Sequence, residues 1–112
     1  MIEVKTYHKE TLAHGVDLAL SNRLFVPGWD LNGSLKNAKQ RNEGTVALVF
    51  KHGKPVAISF ADRWITQAFT RKTERRNGYG RMAVKALREI HKTSSHGCGK
   101  KGSDVFWEKV WN

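Results

Sequence analysis

Apolar and polar residues alternate through Ile2-Glu3-Val4-Lys5-Thr6-Tyr7, the period-two pattern of a strand half covered by a core. From His8 the period lengthens. Leu12, Val16, Ala19, Leu20 and Leu24 recur at helical spacing, so a helix is predicted to about Arg23. Glu10 near its start and Arg23 near its end complement the helix dipole. The adjacent Pro27 and Gly28 break the pattern. Residues 34–41 can form a second, short helix. It is cationic with few apolar positions, so it is expected on the surface or as a flexible lid. Residues 45–50 and 56–60 are β-rich, and Lys51-His52-Gly53-Lys54-Pro55 supplies the Gly and Pro of a hairpin loop. Asp62-Arg63 marks another turn before a third strand at 64–69. A helix is predicted from about Gly78 to His91, with Met82, Ala83, Ala86, Leu87 and Ile90 on one apolar face. The expected order is β-α-(α)-β-β-β-α. This is a single α/β (α+β) domain over residues 1–112, with a mixed sheet containing an antiparallel meander.

The junction between the last meander strand and that helix changes the picture. Arg71, Lys72, Arg75, Arg76 and Arg81 crowd around Gly78 and Gly80, where the helix should begin. A helix N-terminus offers unpaired N–H groups and a partial positive charge, so it attracts anions. Glycine lets an anion come close to the backbone. Strand, cationic glycine loop and helix together describe a polyphosphate cradle.

Composition narrows the partners. Twenty Lys+Arg against ten Asp+Glu leave a formal net charge of +10, a field that draws a multiply phosphorylated cofactor, a nucleic acid or an acidic protein. No apolar run approaches the roughly 18 residues needed to span a bilayer, so no membrane partner is expected. The N-terminus lacks the apolar stretch of a signal peptide. Cys98 is the only cysteine and cannot form an internal disulfide, which points to the cytoplasm. His91, His96 and Cys98 fit no compact zinc spacing, and no metal is expected.

Arg75-Arg76-Asn77-Gly78-Tyr79-Gly80 resembles the Gln/Arg-x-x-Gly-x-Gly/Ala loop of the GNAT superfamily, the acetyl-CoA-dependent N-acyltransferases. The predicted element order over residues 1–91 is similar to that family as well. The resemblance implies an N-acetyltransferase with acetyl-CoA as acyl donor, its pyrophosphate on the amides of Arg76 to Arg81. It implies that Ala68, Phe69 or Thr70 supplies the backbone N–H that polarises the thioester carbonyl. Asp62, then Glu74, are the candidates for a general base. The family's usual thiolate-protonating Tyr is absent, since Tyr7 and Tyr79 are the only tyrosines and Tyr79 lies in the glycine loop; Ser94, Ser95, Ser103 or water would have to substitute. The amine acceptor is left open.

The family's fifth, parallel strand and fourth helix have a reduced counterpart here. Residues 92–103 are polar and glycine-rich, and 105–111 form either a short strand or a short helix. Trp107 and Trp111 in that tail suggest a homodimer. Two other readings stay open. One is a basic nucleic-acid-binding domain using the Arg71–Arg81 cluster and Lys100-Lys101. The other is a GNAT-like protein that binds or inhibits without catalysis.

Overall fold

A computed structural model describes residues 1–24, 31–62, 65–90 and 95–96. Strand β1 (Ile2–His8) leads through a 3-10 turn (Lys9–Thr11) into helix α1 (Leu12–Ser21). Helix α2 (Leu31–Arg41), the meander β2 (Thr45–Lys51), β3 (Lys54–Ala61) and β4 (Ile65–Thr70), a second 3-10 turn (Lys72–Glu74), helix α3 (Tyr79–Ile90) and strand β5 (Ser95–His96) follow. The strands lie in the order β1-β2-β3-β4-β5. The first three pairings are antiparallel and β4–β5 is parallel. Among the described residues no helix is long and apolar enough to cross a membrane.

The β2–β3 hairpin is tighter than its sequence suggests. Lys51 pairs with Lys54, leaving a two-residue turn in which His52 (φ 52°) and Gly53 (φ 80°) are both left-handed. Such a turn matches the twist of the strands it joins. Pro55 pairs with Phe50 where the register shifts between Val49 and Phe50, so the missing proline N–H falls at an irregularity.

Both faces of the sheet are covered, which explains the nearly continuous apolar run of β2. On one face Tyr7, Val46, Leu48, Ile58 and Phe60 pack against Leu12, Val16, Ala19 and Leu24 of the α1 region and Leu35 and Ala38 of α2. Each fully buried Leu, Ile or Phe there contributes about 1.5–3 kcal/mol by removal from water. Helix α2 does lie on the surface, with Lys36, Asn37, Lys39, Gln40 and Arg41 exposed, but its inner edge joins the core. Two apolar residues at i, i+3 give it a buried edge, and Leu35 is fully inaccessible.

The other face is built for close approach. Ala47, Ala57, Ser59 and Ala61 are all buried and present small side chains to α3. Ser59 Oγ donates to the Ala83 carbonyl at 2.7 Å, tying sheet to helix. The buried stripe of α3 is Ala83, Val84 and Leu87, with Tyr79 and Ala86 at its margin. Met82 and Ile90, expected on that stripe, are 41% and 42% exposed. Met82 falls outside the narrow stripe that a sheet face of alanines needs, whereas Ile90 lies on its line, at i+7 from Ala83, but is the last residue of α3. The parallel strand after α3 lies at Ser95–His96, within the segment that reads as polar and glycine-rich. Residues 97–112, including Cys98 and the Trp107/Trp111 tail, lie outside the described residues, as do Arg63 and Trp64.

Candidate active site at the end of β4

The register decides which backbone groups of β4 are available. Arg71 N–H donates to the Val56 carbonyl at 2.9 Å, and Phe69 and Gln67 stand opposite Ile58 and Phe60. Residues of an antiparallel ladder alternate between bonding inward and pointing away. Phe69 and Gln67 therefore spend their N–H and C=O groups on β3, while Thr66, Ala68 and Thr70 direct theirs to the opposite edge. There β5 meets β4 only at Ile65↔Ser95 and Thr66↔His96. Among the described residues, Ala68 has no strand partner on that edge, and neither does the N–H of Thr70. Of the three positions expected to supply a polarising amide, Ala68 and Thr70 face outward and Phe69 faces β3.

The loop beyond Thr70 wraps back on the strand. Arg75 Nε donates to the Thr70 carbonyl at 3.1 Å, and its guanidinium lies 5.9 Å from the centre of the Phe69 ring. Arg71 is turned elsewhere: Nε donates to the Pro55 carbonyl at 3.2 Å and Nη2 to the Asn22 carbonyl at 2.7 Å. It fastens the ends of β3 and α1 together and is not a free cation of the loop. Lys72, Arg76 and Arg81 are exposed.

Helix α3 starts from a left-handed turn. Arg76 (φ 72°) and Gly78 (φ 79°) flank Asn77, whose Nδ2 donates to the Glu74 carbonyl at 3.2 Å. A long side chain at positive φ is uncommon and marks a backbone held in shape by its surroundings. Met82 N–H donates to the Gly78 carbonyl at 3.0 Å. Helix geometry thus leaves the N–H groups of Tyr79, Gly80 and Arg81 without intrahelical partners. A Cβ built at Gly78 meets nothing within 4 Å, so the cradle is open on that side. The first turn of α3 holds no carboxylate, and Arg81 sits there instead. The dipole of a helix start is not offset from within and favours an anion. Tyr79 packs against the Val49, Val56, Ala57 and Ala83 cluster and anchors the turn.

The two expected carboxylates are not brought together. Glu74 follows β4, and its Oε2 lies 3.1 Å from Lys51 Nζ at the hairpin end. That hydrogen bond, with the carboxylate charge, pushes the Lys51 ammonium above its ordinary pKa. Asp62 lies at the other end of β4, beside the Ala61↔Thr66 pair, and is half-buried and already engaged. About 13 Å of strand, four residues at 3.3 Å, separates Thr66 from Thr70.

Two features escaped the sequence reading. Gln67 Nε2 donates to Ser34 Oγ at 3.3 Å, joining β4 to α2 one residue before Ala68. The Thr66 hydroxyl is fully buried, without a hydrogen-bond partner among the described residues, at the start of the β4–β5 pair. Alternation along 64–69 could have placed Gln67 and Thr66 on opposite faces; nothing local marks their partners. Among the described residues no cluster of His, Cys, Asp and Glu could hold a metal ion.

This arrangement has a known architecture. The chain has the fold of the GNAT superfamily, a mixed sheet with helices on both faces and the glycine loop between β4 and α3. A ribosomal-protein-alanine N-acetyltransferase from Brucella melitensis biovar Abortus 2308 superposes with a TM-score of 0.63 at 9% identity, over 100% of this chain and 92% of that one. A predicted acetyltransferase from Clostridium acetobutylicum, solved with acetyl-CoA, gives 0.63 at 14% identity, over 100% and 90%. A GCN5-related N-acetyltransferase-like protein from Streptococcus suis 89/1591 gives 0.68 at 15% identity, over 97% of this chain and 45% of that one. No protein-family model and no curated protein matches the sequence.

Proposed function

We propose that the chain is an N-acetyltransferase that moves an acetyl group from acetyl-CoA to an amine. One juxtaposition carries this reading. The outward amides of Ala68 and Thr70 and the open N-terminal turn of α3 lie at the same end of β4, one suited to a carbonyl or amide chain and the other to a diphosphate. The acetyl-CoA seen with the Clostridium acetobutylicum protein supports the choice of donor. The residues fit the group: Gly78 leaves the approach open, and Arg76, Arg81 and Lys72 surround it with charge.

In this reading the N–H groups of Tyr79, Gly80 and Arg81 hold the pyrophosphate. The Ala68 N–H donates to the thioester oxygen, favouring the charge that develops there as the amine nitrogen bonds to the acetyl carbon and the C–S bond breaks. The amine gives up one proton and the departing sulfur takes one up. Asp62 and Glu74 are the two candidates to receive the first, directly or through water, and each already has a partner in the fold. With acetyl-CoA supplying the activated acyl group, placement and carbonyl polarisation are what the chain must add.

The test is calorimetric titration with acetyl-CoA, followed by thiol release measured with a panel of amines including a peptide N-terminus, a lysine peptide and a polyamine. Binding with amine-dependent thiol release is the expected result. Binding without release from any amine would favour a GNAT-like binding protein. Absence of binding at millimolar cofactor would overturn the reading.

A further inference from the structure

Strand β1 ends the described sheet, and its register with β2 decides which of its backbone groups are left over. His52 N–H donates to the Met1 carbonyl at 3.2 Å, so Glu3, Lys5 and Tyr7, in step with Met1, bond inward to β2. Ile2, Val4, Thr6 and His8 turn their N–H and C=O groups to the outer edge. His8 is capped there: its N–H donates to Thr11 Oγ1 at 3.0 Å, and its carbonyl accepts from the same hydroxyl at 3.0 Å. Among the described residues, Ile2, Val4 and Thr6 have no strand partner on that side.

Proteins commonly blunt such an edge with a proline, a bulge or a very short strand. β1 runs for seven residues with none of these, and its register with β2 is unbroken. Residues 2–5 are exposed. Of the five large apolar side chains exposed among the described residues, three are Met1, Ile2 and Val4. The only lysine of the strand is Lys5, whose ammonium lies 5.5 Å from the centre of the Phe50 ring. Glu3 stands two residues before it, on the same face of the sheet.

We propose that β1 pairs antiparallel with β1 of a second copy of this chain, Val4 opposite Val4 on a two-fold axis. Charge complementarity identifies the occupant and the register. Pairing centred on Glu3 would oppose two carboxylates, and pairing centred on Lys5 would oppose two ammonium groups. Centred on Val4, each Glu3 faces Lys5 of the other copy. These are the non-hydrogen-bonded pairs, about 4.5 Å between Cα atoms, where opposed side chains come closest. Val4 with Val4, Ile2 with Thr6 and Thr6 with Ile2 are then the pairs that exchange N–H···O bonds. The exposed Ile2 and Val4 of both copies gather on the face opposite the charges. Main-chain bonds supply the affinity and the charges choose the alignment. The β4 site lies three strands in from this edge and stays open. The pairing does not depend on acetyl transfer.

The test is sedimentation equilibrium of the full chain from about 1 to 300 µM in about 0.15 M salt, where the +10 of each copy is screened beyond about 8 Å. Reversible dimerisation is expected. Val4→Pro deletes an N–H that points outward, so β1 keeps its bonds to β2 and circular dichroism stays native, while the dimer is lost. Glu3→Lys and Lys5→Glu, both at exposed positions, each turn two attractive pairs into repulsive ones and should weaken self-association about tenfold or more. Mixed in equal amounts, these two variants are complementary and should form a mixed dimer of about wild-type strength. A chain that stays monomeric throughout overturns the proposal. So does a dimer indifferent to Val4→Pro and to both charge variants, which would put the contact on another surface. Failure of the mixed variants to associate more tightly than either alone would overturn it as well.

Discussion

Gly78 allows the charge of the cradle to be tested apart from its shape. Its backbone is left-handed at φ 79°, and a Cβ there points into open space. Asn and Asp both tolerate that conformation better than other residues, and they are nearly the same size. Gly78→Asn therefore measures what a side chain at the cradle does, and Gly78→Asp adds a negative charge alone. A diphosphate on the N–H groups of Tyr79, Gly80 and Arg81 would place two charges about 5 Å from that carboxylate. At an effective dielectric of about 40 the repulsion is roughly 3 kcal/mol, about a hundredfold in affinity. Calorimetric titration with acetyl-CoA, with circular dichroism to confirm folding, should find the Asn variant within about tenfold of wild type and the Asp variant a further hundredfold weaker. The gap should narrow as salt is raised. Equal affinities for Asn and Asp would show that no polyanion sits on this turn, whatever else the protein binds.

Other expectations concern the frame around the site. Arg71→Ala removes the guanidinium from the Pro55 and Asn22 carbonyls. It should lower stability by about 1–3 kcal/mol in a denaturant titration, while acetyl-CoA affinity per folded molecule changes little. Gly15 is a matter of space: a Cβ there would meet Tyr7 Cγ at 2.5 Å. Gly15→Ala should cost about 1–3 kcal/mol by overpacking despite its better helix propensity, with a lower melting temperature as the readout. Burial pushes the Tyr7 phenol above its ordinary pKa of 10.0, and the Glu74 hydrogen bond and charge push Lys51 above its ordinary 10.5. Both folded values exceed the unfolded ones, so both contributions are whole below about pH 10 and are lost as pH rises through the folded values. Denaturant midpoints should fall above pH 10, and less steeply in Tyr7→Phe.

Much of this fold was legible along the chain, because periodicity reflects which face of an element leaves water. Alternation marked β1, β-rich runs around a Gly/Pro loop marked the β2–β3 hairpin, helical spacing marked α1 and α3, and Gly78 with its cations marked the start of α3. These signals are local: each depends on residues a few positions apart.

The site itself depended on pairing between distant segments. Only the β3–β4 register, with Ala57 opposite Thr70, decides that Ala68 and Thr70 face outward while Phe69 does not. Arg71 read as one cation among five until Pro55 and Asn22 were brought to it, and Glu74 as a free carboxylate until Lys51 crossed from the hairpin. Helix α2 read as a surface helix with no share in the core, because two apolar residues count for little in a sequence window and for much when a core has room for them. Composition and periodicity determined which segments are strands and helices and where an anion would be drawn. Tertiary structure decided which backbone groups were left over to meet it, since a hydrogen-bonding group is free only when no neighbour, near or distant in the chain, has taken it.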